Sequence, residues 1–315
     1  MRVIDSIVRR AGKVPPGYAK IGDDVAVVPL GRGKLVLKVD MLVEHTDVPR
    51  GMTYRQAARK AVAMCVSDFA AKGAKPDSFL VSIGLRRGVT QEQVDGLAEG
   101  FREAGREWGV RLVGGDTNEA EELIVDCTMV GFARRLVSRG GASPGEALVV
   151  SGRFGYPPSG LRVLAGAASA ERLFARTATL SVLKPTPSLG VGIALAPYLT
   201  SSMDSSDGLA RSLHTLAKES RVGFEVTALP TARGVEEFAA ANGLDPEALV
   251  LQGGEEYLVV GTARRRDLER AKRAAARAGG ELLVAGEATS DAGRVELRAG
   301  GMTRAIRDEG WTHLG

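Results

Sequence analysis

The stretch from Thr53 to Pro76, TYRQAARKAVAMCVSDFAAKGAKP, predicts a helix and largely dictates its surroundings. Thr53 and Gln56 match a capping box at its start. Gly73 supplies a residue able to take positive φ just past the end, and Pro76 stands where a helix would not resume. Ala61 to Val66 is apolar all round, the pattern of a helix enclosed by protein rather than one with a single buried stripe. Into the last turns the sequence places Ser67 and Asp68. Burial penalises the aspartate's charge, and the negative end of the helix dipole opposes it by about 0.3–1 kcal/mol. A cation must compensate. Lys72, one turn on, would do so as an i,i+4 pair on a partly solvated face; a metal ion would do so only with carboxylates from elsewhere in the chain.

A length of 315 residues favours two domains. The small, turn-forming stretch Ser138 to Gly145 is the best linker, which divides the chain at 1–137 and 138–315. The net charge of +4 is modest and no block of like charge stands out as a nucleic-acid tail; a small polyanionic substrate fits that balance as well as anything larger, and no nucleic-acid or membrane partner is expected. The most basic run, Ala263 to Lys272, carries mixed charges and reads as a solvated helix face. Cys65 and Cys127 are the only cysteines and both sit in apolar segments, so neither a disulfide framework nor a zinc cluster is suggested and a reducing compartment is expected. Charges at Arg2, Asp5, Arg9 and Arg10 argue against a signal peptide, and no apolar run is long enough to span a bilayer. The expected location is the cytoplasm. Scarce Asn and Gln with plentiful Arg hint at a thermophilic source.

Ile4, Ile7 and Val8 suggest a short helix closed near Gly12 and Pro15. Strands are expected over Val25 to Leu30, Lys34 to Val39, Phe79 to Leu85, Leu123 to Phe132, Ala147 to Ser151 and Tyr257 to Gly261. Asp40 is placed at a strand end, with a loop through Glu44 and Asp47. Thr90 and Gln93 cap a second long helix to about Trp108. A strand from Arg111 is expected to stop at Gly114, Gly115, Asp116 and Thr117, and Met203 to Gly208 to form a turn before a helix. Strands and helices mix without strict alternation, which predicts α+β architecture.

Rival chemistries lack their signatures. With forty glycines there is still no GxxxxGK[ST] loop and no GxGxxG fingerprint. His45, His214 and His313 form no HExxH, and no GxSxG elbow occurs. What remains is a series of aspartates at the tips of apolar elements: Asp23, Asp24, Asp40, Asp68, Asp116, Asp204 and Asp207. Singly, each is more often a cap or turn former, and for Asp207 capping is the better reading. Together they suit magnesium, which joins a few carboxylates to substrate phosphates.

IGDDVAVV, KVDMLVEHTDVP, VSDFAAKGAKP, LVGGDTN, VSRGGASPG, SSMDSSDGLA, QGGEEY and the terminal GWTHL occur in the order and approximate spacing of the thiamine-monophosphate kinase family. The chain resembles that family, and the superfamily of aminoimidazole ribonucleotide synthetase, from Ile21 to Leu314. The resemblance implies an N-terminal domain whose mixed sheet pairs across a homodimer and a C-terminal α/β sandwich completing the cleft. It implies direct in-line transfer from ATP to thiamine monophosphate with several Mg2+ ions. By family pattern Asp24, Asp40, Asp68, Asp116, Asp204 and Asp207 would hold metal, with Asp40, Asp68, Asp116 and Asp207 central to the transfer. Gly115, Asp116, Arg139 and Ser206 would contact ATP; Asp47, Glu255 and Trp311 would face thiamine phosphate. Gly114 and Gly115 would let backbone N–H groups approach phosphate, Arg139 would offer a planar fork, and Trp311 could stack on the thiazolium. Without the family, Arg139 reads equally well as a surface residue and Trp311 as a packed aromatic.

The sequence also departs from the pattern. Lys38 and Val39 stand where hydroxyl residues are common, Cys65 where asparagine is, Asp47 where histidine is, and Glu256 where aspartate is. Two other readings follow: another ATP-dependent synthetase of the superfamily, or a non-catalytic thiamine phosphate or nucleotide binder.

Overall fold

The computed structural model describes Tyr18 and residues 22–312. The expected helix around Ile4, Ile7 and Val8, its closing turn, Ile21, His313 and Leu314 lie outside the described residues.

Strands β1 (Ala26–Leu30) and β2 (Gly33–Val43) form a hairpin. Helices α1 (Glu44–Asp47) and α2 (Tyr54–Lys72) follow, then β3 (Lys75–Leu85), α3 (Gln91–Trp108), β4 (Arg111–Glu119) and β5 (Ile124–Ala133). These strands make one mixed sheet in the order β1-β2-β5-β3-β4, with β3 and β4 parallel. The second half contains β6 (Ala147–Val150), α4 (Tyr156–Leu164), α5 (Arg172–Leu183), α6 (Leu189–Leu195), β7 (Leu199–Ser205), α7 (Leu209–Ser220) and β8 (Gly223–Val226). It continues through α8 (Val235–Ala241), α9 (Pro246–Leu251), β9 (Leu258–Ala263), α10 (Leu268–Arg277), β10 (Leu283–Thr289), β11 (Val295–Ala299) and β12 (Met302–Ala305). Its seven strands run β12-β11-β8-β10-β6-β9-β7, mixed again through the parallel pair β8 and β11. The α+β expectation holds.

Helix α2 lies between the sheets, touching β2, β3 and β5 on one side and β7, β9 and α6 on the other. Its sequence has no polar side because it has no solvent side. The Thr53 capping box forms, and Gly73 ends the helix at φ 64. Small residues allow the close fit: a Cβ on Gly192 of α6 would fall 2.2 Å from the Ala70 carbonyl oxygen. Beside it, buried Arg59 donates to Pro185 O at 2.7 Å and stacks over Trp108, joining the Lys184 to Pro187 loop to the first sheet's helices.

Several boundaries differ from those expected. β2 runs on to Val43, so Asp40 lies within a strand, and Glu44 to Asp47 is a helical turn rather than a loop. β3 starts at Lys75 and takes Pro76 into the sheet beside a bulge. β4 does not stop at Gly114 but continues to Glu119, because Gly115 is needed for pairing: a Cβ there would meet Val81 O at 2.2 Å. β7 absorbs Met203 and Asp204, and the N-cap of α7 is Gly208 rather than Asp207. β9 begins one residue after Tyr257.

Candidate active site

Three buried carboxylates meet where the two sheets face α2. Asp24 precedes β1, Asp68 ends the apolar run of α2, Asp204 stands on β7, and each offers an oxygen within 4.8 Å of the others. Asp204 accepts from Ser67 Oγ at 3.0 Å. Asp40 joins them from β2 through Lys38, whose ammonium lies 2.9 Å from Asp68 Oδ2 and 3.3 Å from Asp40 Oδ1.

The pairing expected between Asp68 and Lys72 is not made. Lys72 is buried and turns to Asp23 and Asp24 at 2.6 and 2.7 Å, donating also to Ser202 O at 2.6 Å. The i,i+4 contact loses because an enclosed ammonium gains more from two carboxylates and a carbonyl than from one carboxylate on its own helix. Nor is Arg139 a free surface residue: Nε donates to Asp24 at 2.7 Å and Nη1 to Gly22 O at 2.7 Å. Burial alone would push the Asp24 carboxyl up, but Lys72 and Arg139 outweigh it and hold it below the ordinary range. Asp204 is pushed up to about 7, by burial first and then by Asp24 and Asp40. Asp68 is pushed well up by burial, with Asp204, Asp40 and Asp24 adding to the effect against Lys38. Burial works against the charge of Lys38, yet the carboxylates around it keep it cationic. Buried carboxylates that crowd one another into holding protons, with no thiolate or imidazole among them, fit a hard divalent cation.

The cluster opens into a cavity of about 850 Å3 lined by Asp40, Asp47, Asp68, Arg139, Asp204, Ser206, Asp207, Glu255 and Trp311. Residues far apart in sequence are therefore gathered around one cavity. The segment after β7 organises the far side: Glu255 N donates to Ser206 O at 2.7 Å, Tyr257 N to Ser205 O at 2.9 Å, and Trp311 N to Asp207 O at 3.0 Å. Glycines permit these approaches, since a Cβ on Gly254 would fall 2.7 Å from Ser206 O and one on Gly310 2.2 Å from Asp207 O. Between them Glu255 and Tyr257 take φ 64 and 51, a left-handed conformation costing about 1–3 kcal/mol each outside glycine. Trp311 is half exposed at the rim.

Gly115 and Asp116 stand apart. They lie on β4, exposed along its whole length, and neither lines the cavity. The register aligns Met41, Asp126, Ser82 and Asp116 across four strands on one sheet face. Gly115 serves strand pairing, so the reading of Gly114 and Gly115 as a loop cradling phosphate at an element end is not met in this chain by itself.

Residues 22–133 match the family model described as AIR synthase related protein, N-terminal domain. Over 94% of its length the chain is 35% identical to the thiamine-monophosphate kinase of Nitrosopumilus maritimus, covering 94% of that protein. The chain belongs to the thiamine-monophosphate kinase family. The thiamine-monophosphate kinase of Pyrococcus horikoshii is 34% identical over 79% of this chain and 78% of its own. The structure of AaThiL complexed with AMPPCP and TMP superposes with a TM-score of 0.87 at 27% identity, covering 99% of this chain and 96% of that one. Hydrogenase maturation protein HypE, at 22% identity and a TM-score of 0.69, shares the fold.

Sequence reasoning missed several cavity neighbours of this thiamine-monophosphate kinase family member. Lys60, fully buried on α2, donates to Asp47 O at 2.8 Å and makes a short contact with Glu255 Oε1. Its signal was present, since a lysine bordering an all-round apolar run raises the question asked of Asp68. Pro158, Leu161 and Arg162 of α4 also line the cavity, and nothing in their local pattern marks them.

Proposed function

We propose that this chain transfers the γ-phosphoryl group of ATP to the phosphate of thiamine monophosphate, giving thiamine diphosphate and ADP, in the cavity between the sheets. The observation that carries the reading is that the Asp68 and Asp204 carboxylates line the same cavity as Asp47, Glu255 and Trp311. In the transfer an oxygen of the acceptor phosphate bonds the γ-phosphorus as its bond to the β-bridging oxygen breaks. That acceptor oxygen is already anionic, so the site needs positive charge more than a general base. Lys38 and Arg139 place cationic groups on the cavity wall. Trp311 offers an aromatic face for the thiazolium cation, and Ser206 a hydroxyl for nucleotide. Glu255, held by Lys60, presents a buried Oε2 that has no hydrogen-bond partner among the described residues. Mg2+ would be held by Asp24, Asp68 and Asp204, with Asp40 and Asp207 nearby, and when bound would neutralise phosphate charge.

The division at 137/138, a homodimer and a cytoplasmic location belong to the same reading. Val39, Met41, Leu80 and Phe132 leave the first sheet with exposed apolar residues, and β4 is an unpaired edge among the described residues. A second copy covering that face is the arrangement in which Gly115 and Asp116 would reach a nucleotide. No helix of the described residues is long and apolar enough to cross a membrane.

The test is incubation of purified protein with ATP and Mg2+, with and without thiamine monophosphate, following ADP and thiamine diphosphate by chromatography. Equal amounts of both products, dependent on thiamine monophosphate, are expected. Folded protein that binds ATP and forms neither overturns the reading.

A further inference from the structure

Lys38 is the cation that does not fit a simple carboxylate cage. It sits on β2 with its side chain 18% exposed, facing the cavity, and its Nζ bridges Asp68 at 2.9 Å and Asp40 at 3.3 Å. The other cations of the network are committed to a different edge of it: Lys72 to Asp23 and Asp24, Arg139 to Asp24. Asp24 therefore has a cation against each of its oxygens, and the gap between Asp40 and Asp68 is left to Lys38 alone among the described residues. Among the described residues of this network five carboxylates, Asp23, Asp24, Asp40, Asp68 and Asp204, face the three cations Lys38, Lys72 and Arg139.

We propose that Lys38 is a resident cation of the acid cluster, seated between Asp40 and Asp68 where a divalent ion would otherwise bind, so that the chain takes up one divalent ion fewer than its carboxylates could hold. The inference rests on the metal-binding reading above. An ion bridging Asp40 and Asp68 at carboxylate-ligand distances of about 2.1 Å would press against the ammonium, and like charges that close in a buried site exclude one another. The lysine stem reaches from the sheet, so the ammonium is fixed by the fold and present at any metal concentration. Unlike a divalent ion it brings no coordinated waters and cannot leave with product. Facing the cavity, it is also placed to contact a phosphate oxygen directly.

The test counts Mn2+ bound per chain by electron paramagnetic resonance of the free ion, on the full chain without nucleotide. Lys38→Met, which keeps the stem and drops the charge, should bind one more Mn2+ per chain than wild type, and its melting temperature should rise more on Mn2+ addition. Lys38→Arg, which keeps the charge, should bind the wild-type number. An equal count in wild type and Lys38→Met overturns the proposal, as does an extra ion in Lys38→Arg, which stays decisive if Lys38→Met does not fold. Wild-type protein that is folded and binds no Mn2+ overturns the metal reading itself, and this inference with it.

Discussion

Asp40 on β2 and Asp116 on β4 belong to the same sheet and to the same expected ligand set, yet their surroundings are opposite. Asp40 borders a cavity with Lys38 beside it and Asp68 beyond. Asp116 is exposed on an edge strand, its Oδ1 accepting from the next residue's N–H at 2.9 Å. The first belongs to a charge network that the fold must balance in order to form, whereas the second lies outside any buried network among the described residues. On the proposed function the candidate carboxylates fall into two kinds, and stability measurements should separate what activity measurements do not.

The largest effect should be on turnover, and it should fail to separate the two kinds. Asp68→Asn and Asp116→Asn should each lower thiamine diphosphate formation by at least about a hundredfold, the loss of several kcal/mol of charge stabilisation. Retained activity in both would remove the ligand assignment.

Stability should then split them. Lys72→Met leaves Asp23 and Asp24 without their ammonium in a buried site, a loss of about 3–5 kcal/mol. Thermal unfolding should show a fall of roughly 10 °C. An unchanged midpoint would mean that the cluster is not balanced by this lysine.

A smaller effect should appear with pH in metal-free protein. The Asp204 carboxyl is pushed up from 3.8 to about 7 by burial and by Asp24 and Asp40. Between those values the folded chain holds a proton that the unfolded chain has released, so stability falls as pH rises through that window and levels off above it. Denaturant unfolding from pH 4 to 8 would show the slope, and Asp204→Asn should make it shallower, leaving the part that the raised Asp68 carboxyl contributes. A stability that rises over the same range in wild type would contradict the crowding of these carboxylates.

The smallest effect is the one that completes the contrast. Asp116→Asn should change unfolding free energy by no more than about 0.5 kcal/mol, as for surface substitutions away from buried networks. A larger loss in dilute, metal-free protein would show that the Asp116 side chain contributes to folding after all.

Much of the fold was legible because its signals are local. The Thr53 and Thr90 capping boxes, the Gly73 terminus and the all-round apolar run of α2 each depend on residues within one or two turns, and all formed as expected. The strands that ran past their expected ends did so for reasons outside those windows. β4 passes through Gly114 and Gly115 because β3 lies alongside, and β7 takes in Asp204 because β9 pairs with it. Glycine and aspartate disfavour strands locally, and cross-strand hydrogen bonding overrides that preference. The aspartates could be found as chemical types, but the partner of each could not: Asp68 took Lys38 from β2 rather than Lys72 from its own helix.

The sequence by itself determined that a charged helix end would be enclosed, that its compensation would come from a cation, and that the candidate ligands would be carboxylates rather than histidines or thiolates. Residue type and spacing carry that information, since burial, capping and ligand hardness are properties of the side chains themselves. Only the tertiary structure decided which cation met which carboxylate, that Lys60 would fasten Glu255, and that Asp116 would be left at an open edge. Those outcomes depend on distances between segments up to 195 positions apart in the chain, which packing of the two sheets against α2 fixes and no local pattern encodes.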